Sequence, residues 1–256
     1  MISPVAGISG KIALVTGASS GLGAHFSRVL AHAGGHVVLA ARRLQKLEVL
    51  RANILAEGGL ASVVTMDVSD AESVSIALKQ VLEEVGPLQI LVNNAGVADS
   101  KTFLKQEESS WQRTLDVNLM GAWRVAQQVT SQMVATQGSG VVVNIASILG
   151  LRVGYGNSAY AISKAGLVQM TRAMALELGP RGIRVNALCP GYFSTSLNER
   201  YFSSPQGIEY IKSTPAGRTG KLSELDGPLL LLCGDAGSFI NGVALPVDGG
   251  HMVSSL

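Results

Sequence analysis

IALVTGASSGLG, residues 12–23, joins a short apolar run to a glycine-rich turn and then to residues with helical spacing. Gly17, Gly21 and Gly23 permit a tight turn and a close approach of backbone to a ligand. A helix opening at this point directs unpaired N–H groups and a partial positive charge outward, which suits a pyrophosphate. Gly17, Ser19, Ser20, Gly21, Leu22 and Gly23 are therefore candidate cofactor-binding residues. The same letters, GASSG, also fit the G-x-S-x-G elbow of serine hydrolases, and Asp248 and His251 follow in the required order. An elbow needs upstream strands to supply an oxyanion donor, and only one apolar run precedes residue 17, so the phosphate reading is preferred.

Outward from this turn, further β-type runs occur at 36–41, 61–68, 90–96, 140–147, 183–191 and 243–250. Helical periodicity fills 21–34, 43–57, 70–85, 108–136, 158–179 and 223–234. Strands that are nearly continuously apolar and alternate with helices predict an α/β chain, a parallel doubly wound sheet covered on both faces. Ligands bind such sheets outside the carboxyl ends of the strands. The residues there are polar and glycine-rich: 17–23, Arg42, Asp67, Asn93 to Gly96, Ser147, and Pro190 to Thr195.

The chain has 256 residues, which fits one domain spanning 1–256. Its charged fraction is only 15%, against 47% hydrophobic residues and a mean hydropathy of +0.31. That excess of apolar surface points to a buried subunit interface. Net charge is +2 with no basic block longer than Arg42–Arg43, which argues against nucleic acid or an anionic membrane as partner and leaves small molecules. Two cysteines without CxxC spacing fit free thiols in a reducing compartment. His32 and His36 are separated by Gly34–Gly35, so no metal site is expected. The N-terminus lacks a basic region followed by an apolar one, and no apolar run approaches the ~20 residues of a membrane span. A cytoplasmic, soluble protein is the expectation.

The second strand decides which dinucleotide fits the glycine turn. An acidic residue at its end would accept from a ribose 2′-OH, whereas a 2′-phosphate requires room and positive charge. The sequence reads VVLAARRLQKL (37–47), with Ala41 at the acidic position, Arg42–Arg43 next, and no carboxylate close by in sequence. A guanidinium grips phosphate bidentately. NADP(H) is the expected cofactor and NAD(H) the lesser candidate, with Arg42 and Arg43 as contacts.

SAYAISKAG, residues 158–166, carries Tyr160 and Lys164 one helical turn apart on one face. A tyrosine that exchanges protons near pH 7 needs its pKa of about 10 lowered by about three units, about 4 kcal/mol. An ammonium about 4 Å away at an effective dielectric of about 20 supplies that amount. Desolvation opposes it, so the Ser147 hydroxyl and a positive nicotinamide ring would have to add to the effect.

The glycine turn, NNAG (93–96), Ser147 and Tyr160-x-x-x-Lys164, in this order, resemble the short-chain dehydrogenase/reductase family from Lys11 to Gly250. The resemblance implies a Rossmann-type, seven-stranded sheet and hydride transfer between a nicotinamide cofactor and an alcohol/carbonyl pair. It gives Asn118, Ser147, Tyr160 and Lys164 as catalytic residues, Tyr160 being the acid/base, and Tyr160 and Lys164 also as cofactor contacts. Asp67, with its neighbour Val68, matches the adenine-binding position, and Asn93 a ribose wall continued by Asn94, Ala95 and Gly96. Pro190 and Gly191 match the turn over the nicotinamide, and Thr195 the residue that holds its carboxamide. The sequence departs from the pattern at Ser20, where NADP-preferring relatives often carry Lys or Arg. Relatives of this length usually form homotetramers.

Five of the ten Tyr and Phe residues fall between 192 and 210. Segment 192–214 is therefore a candidate substrate lid, and an apolar or aromatic ketone the expected substrate. Arg152 is a candidate contact for an acidic one. GYFST (191–195), STPAGRTG (213–220) and FINGVALPVDGG (239–250) resemble gluconate 5-dehydrogenase-like and 3-oxoacyl-carrier-protein reductase-like members, which adds sugar-acid or 3-oxoacyl-thioester reduction as alternatives. A dinucleotide sensor without catalysis is a further alternative, though it has no need of a poised acid.

Overall fold

The computed structural model describes residues 7–136, 138–193 and 202–253. Seven strands, β1 (Ile12–Thr16), β2 (His36–Ala41), β3 (Leu60–Thr65), β4 (Ile90–Asn93), β5 (Gly140–Ile145), β6 (Ile183–Pro190) and β7 (Ala244–Val247), form one sheet in the order β3-β2-β1-β4-β5-β6-β7. Every pairing is parallel. The expected Rossmann-type, doubly wound sheet is present. Its order reverses between β1 and β4, which opens the crevice at their carboxyl ends.

Strand alternation divides the core in two. Ala13, Val15, Val37, Leu39, Val141 and Val143 face α1 (Gly21–His32), α2 (Leu44–Ala56) and α8 (Asp226–Cys233), where Phe26, Leu30, Leu47 and Leu229 are fully buried. Leu14, Val38, Leu91, Val142 and Val185 face the opposite way, against α3 (Ala71–Glu84), α5 (Ala122–Thr136) and α6 (Ser158–Leu178). Both faces of the central strands are therefore withdrawn from water, which is why these runs lack polar alternation.

The stretch expected as one helix over 108–136 is interrupted. After α4 (Glu108–Leu115), residues Asp116–Gly121 form a π-helical turn before α5 begins. Such turns widen a helix locally and often mark functional sites. Within the candidate lid, Phe193 is buried and bridges to Gly220, and Pro205–Lys212 form α7. Thr195 lies outside the described residues. None of the described helices is long and apolar enough to cross a membrane, and no group of three or more potential metal ligands occurs among the described residues.

Candidate active site

The turn after β1 is shaped for close approach. Gly17 has φ +67°, and a Cβ there would lie 2.8 Å from the Ala95 Cα; a Cβ on Gly23 would lie 2.4 Å from the Gly17 carbonyl oxygen. Above Gly21, with φ +56°, nothing lies within 4 Å. No side chain caps α1, and its first turn holds no acidic residue, so its opening N–H groups are left for a ligand. An open, positive helix end beneath a glycine turn fits a pyrophosphate.

Thr16 and Asn94 fasten this turn to the next strand. Asn94 and Ala95 N–H groups each donate to Thr16 Oγ1 at 3.0 Å, and Asn94 Nδ2 donates to the Thr16 carbonyl at 2.9 Å. Asn93 faces elsewhere: its Nδ2 donates to the Ala122 carbonyl at 3.0 Å and to Asn144 Oδ1 at 3.1 Å. At 3% exposure, its side chain belongs to the interior behind β4, so any part in the ribose wall falls to its main chain. Val68 likewise packs inward, against Gly121.

The arginine pair divides its work. Arg43 Nη2 donates to Ser19 Oγ at 2.7 Å and Ser20 Oγ at 3.0 Å, with Nε 3.2 Å from Ser19 Oγ. Arg42 instead lies 3.6 Å from Asp67. The expectation that no carboxylate lies near these arginines is therefore corrected, because β2 and β3 are neighbours and bring Asp67 alongside. Burial pushes the Asp67 carboxyl up; the Ser69 hydrogen bonds and the Arg42 cation outweigh it and hold the group below its ordinary range.

On the other side of the crevice, the π-helical turn places Asn118 fully inside. Its Oδ1 accepts from the Val97 N–H at 2.8 Å, and its Nδ2 donates to the Val97 carbonyl at 2.9 Å and to Ser163 Oγ at 3.0 Å. Ser163 in turn donates to the Tyr160 carbonyl at 2.7 Å. Asn118 thus ties the strand β4 loop to the first turns of α6. Neither Ser163 nor Thr16 was a sequence candidate, although each lies within or beside a motif that was.

Ser147 begins a short 3-10 turn just beyond β5, and its Oγ accepts from the Leu149 N–H at 3.1 Å. It is at once a capping residue and a hydroxyl beside Tyr160. Lys164 is 4% exposed; its Nζ donates to the Ile145 carbonyl at 2.7 Å and lies 5.7 Å from the Tyr160 ring centre. Burial lowers its pKa to about 8. A lysine whose folded pKa falls below its unfolded value resists folding while charged. That cost is complete below about pH 8 and relaxes as pH rises toward 10.5.

Tyr160 departs from the expected depression. Burial pushes its pKa up, a Ser147 hydrogen bond pulls it down, and the nearby Cys189 pushes it further up, so the phenol lies above its ordinary value. Lys164 does not reverse this, because its ammonium is drawn to the end of β5. The buried Cys189 thiol itself rises to about 11, burial outweighing the Ser147 backbone contact and the Lys164 and Arg172 cations. The chain alone therefore presents a neutral phenol.

A family model described as short chain dehydrogenase matches residues 11–206. The chain belongs to the short-chain dehydrogenase family. It is 36% identical over 248 residues to the gluconate 5-dehydrogenase of Gluconobacter oxydans, covering 96% of each chain. It is 31% identical to a 3-oxoacyl-[acyl-carrier-protein] reductase of Thermotoga maritima, covering 96% of this chain and 99% of the relative. A gluconate 5-dehydrogenase structure from Burkholderia cenocepacia, in complex with NADP and tartrate, superposes with a TM-score of 0.94 at 33% identity, over 99% of this chain and all of that one. As a short-chain dehydrogenase, the chain is an oxidoreductase of the CH–OH/C=O couple.

Proposed function

We propose that the chain interconverts a ketone and a secondary alcohol with NADP(H), with Tyr160 as acid and base. The observation that carries the reading is the convergence of Ser147, Tyr160 and Lys164 at the end of β5, across the crevice from a glycine turn clasped by Arg43. The residues that would hold the cofactor are Gly17 to Gly23 for the pyrophosphate, Arg43 and Arg42 for a 2′-phosphate, Asp67 for the adenine, Asn94 to Gly96 for the ribose, and Pro190 and Gly191 beside the nicotinamide, with Thr195 proposed for its carboxamide. When bound, the cofactor supplies or accepts the hydride.

The protein's own part is the proton. Ser147 Oγ accepts from Leu149, and its hydrogen bond with Tyr160 places the two hydroxyls to share one substrate oxygen. Tyr160, neutral throughout the ordinary pH range, delivers its proton to that oxygen as negative charge develops. Lys164, protonated below about pH 8 and 5.7 Å from the phenol ring centre, adds a positive potential that favours proton loss without bringing the phenol below its ordinary range. Asn118 and Ser163 fix the first turns of α6, and so the phenol, against the β4 loop.

This arrangement sets a pH asymmetry. The kcat/KM for ketone reduction is expected to be flat below about pH 8 and to fall above it as Lys164 loses its proton. Alcohol oxidation, which needs the phenolate, should climb continuously with alkali because the Tyr160 pKa is raised. Initial rates in both directions between pH 6 and 10 test this; an oxidation rate that levels off near neutrality contradicts it.

The substrate class shifts toward hydroxylated compounds. Tyr192 stacks edge-on with Phe202 at 5.0 Å and with Tyr210 at 5.8 Å, so these rings pack on one another. That arrangement gives less support to an apolar or aromatic ketone than a ring-lined cavity would. The similarity to gluconate 5-dehydrogenases favours a sugar acid or polyol. NADPH consumption with 5-ketogluconate, an acetoacetyl thioester and acetophenone distinguishes the classes, and no consumption with any ketone removes the proposal. Trp123 and Met120 near the start of α5, Ile162 and Leu176 on α6, and the open edge of β7 leave apolar surface that a homotetramer would cover.

A further inference from the structure

We propose that His251 is a positioning residue that latches helix α7 over the carboxyl edge of the sheet and thereby sets substrate affinity. The inference rests on the proposed function for its kinetic consequence, and on geometry alone for the latch.

Three segments hang from the ends of adjacent strands and meet at one point. Tyr192 follows β6, His251 follows β7, and Arg152 belongs to the loop that Ser147 opens after β5. His251 Nε2 is hydrogen-bonded to the Tyr210 hydroxyl of α7 at 3.0 Å. The His251 ring also lies 5.2 Å from Tyr192 and 5.5 Å from Tyr210, tilted against both. Arg152 Nη1 donates to the Met252 carbonyl, next to His251, at 2.6 Å. Asp248 fixes the turn itself, accepting from the Gly250 N–H at 2.9 Å and the Met252 N–H at 2.8 Å.

The consequence is a continuous connection from the Ser147 loop, through Arg152 and the 3-10 turn His251–Val253, to α7. Among the residues of α7, Gly207 and Ile211 are buried, whereas Tyr210 is 37% exposed and meets the rest of the protein through its ring and hydroxyl. A helix of eight residues is too short to persist by its own propensity, so its placement depends on such contacts. Tyr192, two residues past the Pro190 end of β6, joins the cluster from the nicotinamide side of the crevice. A substrate held between the Ser147 loop and α7 would therefore be closed in by the same hydrogen bond that joins Tyr210 to His251.

The test uses the full chain and four variants: His251→Ala, Tyr210→Phe, the two combined, and His251→Gln, whose amide can reach the Nε2 position. Amide hydrogen exchange across 205–212, measured without substrate, should rise about fivefold in each of the first two variants, the worth of one net hydrogen bond. The combined variant should be no faster than His251→Ala, and His251→Gln should restore the slow rate. With 5-ketogluconate or whichever ketone the parent reduces, KM should rise about fivefold while kcat and the NADPH KM hold steady. Unchanged exchange in 205–212, or additive effects in the combined variant, overturns the latch. Faster exchange with an unaltered substrate KM overturns the positioning role. Failure of the parent to oxidise NADPH with any ketone counts against the proposed function, and the exchange result still decides the latch.

Discussion

Tyr160→Phe is expected to lower kcat for ketone reduction by about 10³-fold while leaving NADPH affinity within about twofold of the parent. A positioned general acid contributes about 10²- to 10⁴-fold, and no other described hydroxyl except Ser147 is placed to take over the proton. The substitution removes one oxygen and keeps the ring, so packing around α6 is conserved. It also removes a phenol that burial holds in its neutral form, so the folded state loses no charge–charge interaction. Thermal stability should therefore stay the same or rise slightly. Single-turnover decay of NADPH absorbance separates the chemical step from product release. A variant that folds, binds NADPH and reduces the ketone at the parent rate leaves Tyr160 without a role. Lys164→Met makes an informative contrast: it should also slow reduction, but it leaves the Ile145 carbonyl without its 2.7 Å donor while relieving a buried charge.

The sheet was legible because its signals are local. Apolar runs such as ILVN and the glycine turn after IALVT declare a buried parallel strand and a helix start without reference to distant residues. Strand ends were overrun by a residue or more where apolar character outlasts pairing: Ala146 is buried, yet β5 stops at Ile145 and Ser147 caps the next turn. The π-helical turn was illegible, since DVNLMG reads as ordinary helix and only the Asn118 bonds to Val97 and Ser163, both remote in sequence, favour the wider turn. The inward face of Asn93 was readable in principle: it lies two residues beyond Leu91, and strand alternation puts both on the α5 side. Motif matching gave it a place in a ribose wall that its side chain does not take. In the chain by itself the Tyr160 phenol lies above its ordinary value, since the i,i+4 spacing specifies a shared face and not where the ammonium points. The end of β5 claims that ammonium.

The arginine pair offers the second large effect, and its geometry leads us to expect the larger share of the 2′-phosphate contact from Arg43. Arg43→Ala is expected to raise the NADPH KM by about 10- to 100-fold and to leave the NADH KM within about twofold, since a charged donor to a phosphate is worth about 1.5–3 kcal/mol. Arg42→Ala should have a smaller effect, because Asp67 at 3.6 Å already compensates part of its charge. Where relatives place a basic residue in the glycine turn this chain has Ser20, and the Arg43 guanidinium reaches that position from the β2 side, 3.0 Å from the Ser20 hydroxyl. The cation missing from the turn is thus supplied by the neighbouring strand's end. Ser19 and Ser20 hold the guanidinium in place beside the turn, so a 2′-phosphate would meet a fork already oriented. Both arginines are exposed, so the NADPH preference should shrink as salt rises from 50 to 500 mM, values chosen to span roughly a threefold range of screening length. Initial rates with each nucleotide for the two single variants decide the assignment. A larger penalty from Arg42→Ala than from Arg43→Ala transfers the phosphate contact back to Arg42, and equal loss with NADH and NADPH shows that the pair serves the shared half of the nucleotide.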